Sequence, residues 1–196
     1  SDPSLFTFAE TYPHAGEIDD LIRYTGYVTE PAERGAAPGN GEVIVSAGGG
    51  AAAGALIRTV MAARPHTPLA GRVWRFLTGP RMAEDEFQAL AALADETTIV
   101  KRFETNFQER LDGCALSISQ AGYNTVMNLL RAEARAVVVP YDEGEETEQW
   151  FRSERMGKMG LLSVVPTSRL SAETMAAAVT EAWQREAGTR PTIDLE

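Results

Sequence analysis

The sequence predicts an α/β domain in which a parallel sheet of about six strands is covered by helices on both faces. Apolar strand-like runs and helical segments alternate along the chain, which is the pattern of a parallel sheet with helical crossovers. The chain has 196 residues, of which 44% are hydrophobic, and this suits one large domain. We find no internal repeat.

Short apolar runs predict the strands of this sheet, at 42–46, 73–77, 97–102, 115–119, 136–139 and 161–165. The segment Thr78-Gly79-Pro80 closes the second run and Pro140 ends the fifth, as expected of turn residues. A further short strand is predicted over 22–28, and the Pro- and Gly-containing stretch 31–41 after it is predicted to be a loop.

Helical periodicity predicts the connecting segments. After the first strand, one apolar face is formed by Ala53, Leu56, Ile57, Val60 and Met61. Further helices are predicted near 84–94, 105–111, 123–133, 146–159 and 171–187. Gly160 is a typical helix stop, and Ser171 is a suitable N-cap for the last helix.

Residues 1–22 are patterned weakly and are predicted to be a connecting arm, followed by the domain at 23–187 and a tail at 188–196. Residues 1–22 lack the apolar core of a signal peptide, and no stretch reaches the ~18 apolar residues of a membrane helix. The single Cys114 fits a reducing compartment, so we expect a cytoplasmic location. The sequence does not begin with methionine, so it is compatible with a piece of a longer protein.

The charge pattern excludes some classes of function. The formal net charge is −10, which argues against a nucleic-acid groove. His14 and His66 are isolated from other metal-ligating residues, and no Asp-x-Asp pair follows a strand, so we expect no metal ion and no cofactor.

A glycine-rich loop follows the first predicted strand. The residues Ser46-Ala47-Gly48-Gly49-Gly50-Ala51-Ala52 lead from an apolar run into an alanine-rich helical stretch. Glycines allow a ligand to approach the backbone, and the first N–H groups of a helix lack internal acceptors, so this corner favours a phosphate. A purely structural turn is the alternative.

A dinucleotide-binding site is a further alternative for this loop. Gly48, Gly50 and Ala53 match the spacing Gly-x-Gly-x-x-Ala, which is a weak signal taken alone. A nicotinamide dinucleotide also needs an acid at the end of the second strand. That strand ends in Leu77-Thr78-Gly79-Pro80-Arg81, which contains no acid.

Two later segments have the same placement between a strand and a helix. Ser119-Gln120-Ala121-Gly122-Tyr123-Asn124-Thr125 follows the fourth strand and is either a second set of backbone donors facing the same ligand or an ordinary helix cap. Glu148 and Gln149 open the helix after the fifth strand. A carboxylate next to an amide can bind adjacent sugar hydroxyls, although both are also ordinary helix-surface residues.

In this order, the segments 43–53, 119–130 and 136–149 resemble the C-terminal domain of glycosyltransferase family 28, a MurG-like family with the GT-B fold. The segment Tyr24-Thr25-Gly26-Tyr27-Val28 also resembles the entry to that domain, so the resemblance covers about residues 22–165. It is closest to uncharacterised predicted glycosyltransferases. The resemblance implies a Rossmann-like domain, one half of a GT-B fold, which binds a nucleotide-sugar donor, usually a UDP-sugar.

The resemblance also implies the site residues. Gly48, Gly49 and Gly50 lie near the diphosphate in this interpretation, and the second helix flanks it with Ser119, Gly122, Asn124 and Thr125. The backbone at Arg102 and Phe103 meets the base, and Glu148 and Gln149 meet the sugar. Where the family often has a ribose-binding acid, this chain has Asn128, which hydrogen-bonds more weakly than a carboxylate.

The function expected from the resemblance is donor binding in a metal-independent, inverting hexosyltransferase. The catalytic base and the acceptor site are expected in an N-terminal domain that this chain lacks, so the isolated chain is expected to be inactive. Two alternatives stay open: a sugar-nucleotide-binding subunit that needs a partner chain, and a sugar-nucleotide epimerase or hydrolase of the same fold. The acceptor, the sugar and any membrane contact are not predicted.

Overall fold

The structure is a computed structural model that describes residues 7–10, 12, 14–24, 41–48, 53–141 and 148–185. Its strands are β1 Val43–Ser46, β2 Trp74–Leu77, β3 Thr98–Lys101, β4 Leu116–Gln120, β5 Ala136–Val139 and β6 Ser163–Val164. Its α-helices are α1 Ala53–Ala63, α2 Glu84–Ala91, α3 Phe107–Asp112, α4 Tyr123–Arg131, α5 Glu148–Lys158 and α6 Ala172–Gln184. Within the described ranges, no helix is long and apolar enough to cross a membrane.

The strands form one parallel sheet in the order β3-β2-β1-β4-β5-β6, so the predicted six-stranded parallel sheet is confirmed. The chain first builds outward from β1 to β3, then returns across β1 and builds outward in the other direction from β4. The reversal makes β1 and β4 neighbours, with Ser46 in register with Ser119. Ligands of doubly wound sheets bind at such a reversal, beyond the carboxyl ends of the strands.

Helices cover both faces of the sheet, as predicted. Alternate strand residues such as Val43 and Val45 pack under α1, α2 and α6, whereas Ile44 faces the layer of α3, α4 and α5. β2 and β5 are buried at every position, because a parallel strand between two helical layers meets no solvent. Ser171 caps α6 in a reciprocal capping box with Thr174, which confirms the predicted cap.

Some predicted elements are shorter than expected. The sixth strand covers only Ser163–Val164 because it is an edge strand with two residues paired to β5, and the preceding Leu161 and Leu162 are buried in a turn. The strand predicted over 22–28 is wrong in its described part, since Ile22–Tyr24 pairs with no strand; residues 25–28 lie outside the described residues. Cys114 precedes β4 and is half-buried.

The described part of the predicted arm forms single turns of 3-10 helix at Phe8–Glu10, Ala15–Glu17 and Asp19–Leu21. The Phe8 amide donates to Tyr24 Oη at 2.9 Å, which closes the arm on itself. Arg155 Nη1 on α5 donates to Glu10 Oε1 at 2.5 Å. The hydrogen bond from the Thr7 amide is the main cause that lowers the pKa of Glu10.

A buried ion network joins the sheet to α3. Arg75 on β2 binds both oxygens of Glu42, with Nε–Oε1 3.0 Å and Nη2–Oε2 3.1 Å, and its Nη1 reaches Glu104 Oε2 at 3.1 Å. Arg110 on α3 completes a ring by pairing with Glu42 at 3.0 Å and Glu104 at 3.1 Å. The Glu42, Arg75 and Glu104 side chains are each at most 9% exposed, so each charge depends on its partners for the interactions that water would otherwise supply.

We expect Arg75→Met to lower the free energy of unfolding by about 3–5 kcal/mol, because Glu42 then stays buried without its bidentate partner. Chemical denaturation measures the loss. The control is Arg58→Met, which removes a pair with Glu86 whose side chains are far more exposed, 58% for Arg58 and 34% for Glu86, and should cost at most about 1 kcal/mol. Equal losses in the two variants would contradict a structural role for the network.

Candidate functional site

Two glycine-containing segments, at Gly48 after β1 and at Gly122 after β4, leave the sheet side by side at its carboxyl edge. We call them the two glycine corners. Gly48 stands two residues beyond β1 with φ +67°, a left-handed conformation that other residues adopt at a cost. A Cβ placed on Gly48 would stand 2.9 Å from Oε1 of Gln120, the last residue of β4. The loop after β1 is therefore in direct contact with the end of β4.

The first turn of α4 has no side-chain cap. Its N-cap is Gly122, in an extended conformation and without a side chain, and no side-chain cap hydrogen bond is present. The first N–H groups of a helix have no internal acceptor. Asn124 is exposed and Thr125 is half-buried in this turn. Ser119, just before it, is fully buried, and its hydroxyl has no hydrogen-bond partner among the described residues.

The first turn of α1 differs from that of α4 because it already meets a carboxylate. Glu86 on α2 approaches Gly54, the second residue of α1, so closely that a Cβ there would overlap its carboxyl group. Arg58 holds this carboxylate in an ion pair. A carboxylate at a helix N-terminus already interacts with the positive end of the dipole, so α4 is the better of the two helix ends for an added anion.

Glu148 and Gln149 lie in the first turn of α5, the next described helix after β5 in the chain. Gln149 Oε1 accepts a hydrogen bond from the Tyr141 amide at 3.2 Å, which ties this turn to the edge of the sheet. The Glu148 carboxylate is 57% exposed and lies 3.2 Å from Arg152 Nη1. The Arg152 guanidinium on α5 lies 5.3 Å from the centre of the Tyr123 ring on α4, so the beginning of α5 lies beside the first turn of α4.

Arg102 and Phe103 follow β3. In the sheet, β3 lies on the other side of the β1–β4 pair from β5. Two strand spacings place β3 about 10 Å from β1. The Phe103 side chain is exposed. The Arg102 carbonyl accepts a hydrogen bond from the Gly79 amide at 2.9 Å. Its guanidinium contacts the start of α2 and the loop before it: Nη1 donates to the Met82 carbonyl at 2.8 Å and Nη2 donates to Glu84. Hydrogen bonds from Gln88 first, and from Arg102 second, lower the pKa of Glu84.

Asn128 lies one turn further along α4 and is half-buried. Its carbonyl accepts a hydrogen bond of 3.4 Å from Gln108 Nε2, so it lies where α3 and α4 meet. Gly49 and Gly50 lie outside the described residues. Apart from Asn128, the predicted site residues that the structure describes lie at one edge of the sheet, at or after the ends of β3, β1, β4 and β5.

Sequence reasoning missed two side chains at this edge. Gln120 follows the alternation of β4 and carried no separate signal, yet its amide meets the loop at Gly48. Arg152 stands four residues after Glu148, which is the spacing of a helical ion pair. That spacing would have identified the pair, but not the burial of Arg152, which is 2% exposed.

Elsewhere in the described chain we find no second pair of strand-to-helix loops that come together in this way. A cavity of about 470 Å³ is lined by Arg64, Phe76, Asp95 and Thr98 among others. Thr98 begins β3, so this cavity lies toward the amino ends of the strands, away from the corners. No group of three His, Cys, Asp or Glu residues within the described ranges is placed to hold a metal ion.

Comparison with known proteins identifies the class. Residues 43–190 match the glycosyltransferase family 28 C-terminal domain, which is most of the chain. The chain therefore belongs to this family, and the resemblance found in the sequence is confirmed. Its Rossmann-like sheet is one half of the GT-B fold, as its structural neighbours show.

The chain matches only part of the length of each relative. A UDP-N-acetylglucosamine--N-acetylmuramyl-(pentapeptide) pyrophosphoryl-undecaprenol N-acetylglucosamine transferase of Rhodospirillum centenum is 31% identical over 90 residues, 46% of this chain and 24% of that protein. The calicheamicin glycosyltransferase CalG4 matches 93% of this chain and 46% of its own, with TM-score 0.57 and 19% identity. MurG of Acinetobacter baumannii matches 76% and 46%, with TM-score 0.53 and 19% identity. The chain thus spans less than half the length of these proteins.

We expect Gly48→Ala to lower the free energy of unfolding by about 1–2 kcal/mol, because alanine is strained at positive φ. Chemical denaturation measures the change. Gly71→Ala is the matched control, since a Cβ there meets nothing within 4 Å and its φ lies outside the left-handed range. It should change stability by about 0.5 kcal/mol or less. If Gly48→Ala were as mild as the control, the left-handed turn would not constrain this corner.

Proposed function

We propose that this chain is the donor-binding domain of an inverting glycosyltransferase that moves a hexosyl group from a UDP-sugar without a metal ion. The observation that carries the proposal is the contact between the glycine corner at Gly48 and the end of β4, beside the uncapped first turn of α4. Two segments that offer backbone groups thus face one place at the edge of the sheet. The N-acetylglucosamine transferase among the relatives, named for a UDP-sugar donor, supports UDP as the nucleotide.

The ligand extends along the carboxyl edge in this proposal. The diphosphate accepts hydrogen bonds from the first turn of α4, with Gly48 allowing it to come close. The base lies toward Phe103, the ribose near Asn128, and the hexose at Glu148 and Gln149. A nucleoside diphosphate is long enough to bridge the two strand spacings, about 10 Å, between β3 and β1.

The transfer step follows from this arrangement. An acceptor hydroxyl oxygen attacks the anomeric carbon from the face opposite the diphosphate, and the bond from that carbon to the phosphate oxygen breaks. The electron pair leaves with UDP, and the configuration at the carbon inverts. The positive end of α4 and its N–H groups stabilise the charge that develops on the leaving diphosphate, which is the role a metal ion has in other enzymes.

The base that takes the hydroxyl proton, and the acceptor itself, belong to an N-terminal domain in this proposal. The relatives are more than twice as long as the segment matched here, which supports a second domain in the working enzyme. The isolated chain then binds donor without transferring sugar. The single Cys114 supports a cytoplasmic location.

Titration calorimetry against UDP, UDP-GlcNAc, GDP, dTDP and NADP tests the proposal directly. We expect heat with UDP and UDP-GlcNAc and none with NADP. Ligand at about 100 times Kd stabilises the fold by about 2.7 kcal/mol, which raises Tm by roughly 5–10 °C for a chain of this size. Absence of heat with every nucleoside diphosphate would overturn the proposal, and heat with NADP alone would restore the dinucleotide interpretation of the glycine loop.

Asn124→Asp separates binding from folding. A carboxylate in the first turn of α4 favours the helix by about 0.3–1 kcal/mol through the dipole, yet it repels a diphosphate at the same place. We therefore expect unchanged or higher stability together with UDP binding weakened by about tenfold, roughly 1.4 kcal/mol.

The control for this variant is Gln184→Glu, which adds the same charge to an exposed position at the far end of α6. Calorimetry should give it the UDP affinity of the unmodified chain. Equal weakening in both variants would mean that net charge, rather than the first turn of α4, governs binding.

A further inference from the structure

Arg152 is unusual among the cations at the carboxyl edge because it is almost completely buried. Its side chain is 3% exposed, whereas the Glu148 carboxylate beside it is 57% exposed. An ordinary surface pair at i,i+4 leaves both groups in water and contributes a few tenths of a kcal/mol. Arg152 has instead given up its hydration, which is costly for a guanidinium unless its surroundings replace the water.

Among the described residues, the surroundings of Arg152 replace that water only in part. Its Nε and Nη1 are buried and have no hydrogen-bond partner among the described residues. Nη1 lies 3.2 Å from Glu148 Oε1, in an ion pair without hydrogen-bond geometry. The guanidinium carbon lies 5.3 Å from the centre of the Tyr123 ring, within the range of a cation–π contact.

These contacts join the two segments that the proposed function assigns to different parts of the donor. Tyr123 is the first residue of α4, where the diphosphate is expected, and Glu148 is the first residue of α5, where the hexose is expected. Arg152 touches both, and its burial leaves it few alternative rotamers. A side chain held in this way fixes the distance between the two first turns.

We propose that Arg152 is a positioning residue that holds the Glu148 carboxylate against the first turn of α4, so that a hexose bound at α5 is aligned with a diphosphate bound at α4. Arg152 itself does not touch the donor in this proposal, because its side chain is only 3% exposed. It acts through Glu148, which accepts hydrogen bonds from sugar hydroxyls. The inference rests on the proposed function, since it requires a sugar nucleotide at this edge.

The test compares the affinities of the 196-residue chain for UDP and for UDP-GlcNAc, measured by calorimetry. In Arg152→Gln the Glu148 carboxylate loses its partner, so we expect UDP-GlcNAc to bind about tenfold more weakly while UDP changes by less than about twofold. Arg152→Lys keeps the charge without the planar stacking on Tyr123, and should recover part of the loss. Arg155→Gln is the control, because Arg155 lies on the same helix and pairs with Glu10 of the arm.

Glu148→Gln completes a double-mutant cycle. If Arg152 acts through Glu148, then Arg152→Gln causes little further loss of UDP-GlcNAc affinity once Glu148 has been replaced. Independent losses that multiply in the double variant would overturn the inference. So would an equal loss of UDP and UDP-GlcNAc in Arg152→Gln, which is the result expected of a residue that only supports the fold.

The outcomes separate this inference from the proposed function. If the unmodified chain binds no nucleoside diphosphate, the proposed function fails and the inference fails with it. If it binds UDP and UDP-GlcNAc with the same affinity, only the inference is overturned, because no sugar is then held at α5. Should Arg152→Gln not fold, Arg152→Lys decides: a loss confined to UDP-GlcNAc supports the inference, and a loss shared by UDP contradicts it.

Discussion

The arrangement of this molecule depends on the parallel pairing of β1 with β4. The chain lays down β1, β2 and β3 in one direction and must return to place β4 against the free side of β1. Ser46 then stands opposite Ser119, and the residues that follow each strand leave the sheet at neighbouring points. No other pairing of these strands would put the loop at Gly48 against Gln120 and beside the first turn of α4.

The two helices that begin beside this pairing, α1 and α4, differ in what their first turns contact. The first turn of α1 already meets the carboxylate of Glu86, whereas the N-cap of α4 is Gly122, which has no side chain to cap the helix. At this edge, therefore, the first turn of α1 lies next to a carboxylate, whereas the first turn of α4 has no side-chain cap. In the proposed function, this asymmetry favours α4 over α1 as the helix end that meets the diphosphate.

Much of the fold follows from the sequence because its signals are local. Strand-like runs separated by periodic helices are sufficient to predict a parallel sheet between two helical layers, and Ser171 is recognisable as a cap from its neighbours. Interactions between residues that are far apart in the sequence cannot be predicted in this way. Arg75 interrupts an apolar run, and its partners Glu42 and Glu104 are 33 and 29 residues away, so nothing local shows that the charge is paired and buried.

The residues of the candidate site likewise include some that local sequence signals identify and some that depend on packing between distant segments. Gly48, Ser119, Gly122, Glu148 and Gln149 stand out because they lie between a strand and a helix. Family resemblance added Arg102, Phe103 and Asn128. Arg152 was within reach as the i,i+4 partner of Glu148, but its burial under Tyr123 depends on how α4 and α5 pack. The sixth strand was overestimated because Leu161 and Leu162 are apolar for the sake of the core rather than the sheet.

The ion network under α3 also bears on how the protein responds to heating. The hydration of charged groups becomes less favourable as temperature rises, so keeping Glu42 and Arg75 away from water costs less in a hot solution than in a cold one. The stabilisation from burying hydrocarbon levels off over the same range. The contact between α3 and the sheet thus includes ion pairs whose net contribution to stability falls less at high temperature. A wholly apolar contact in the same place would lose more of its contribution.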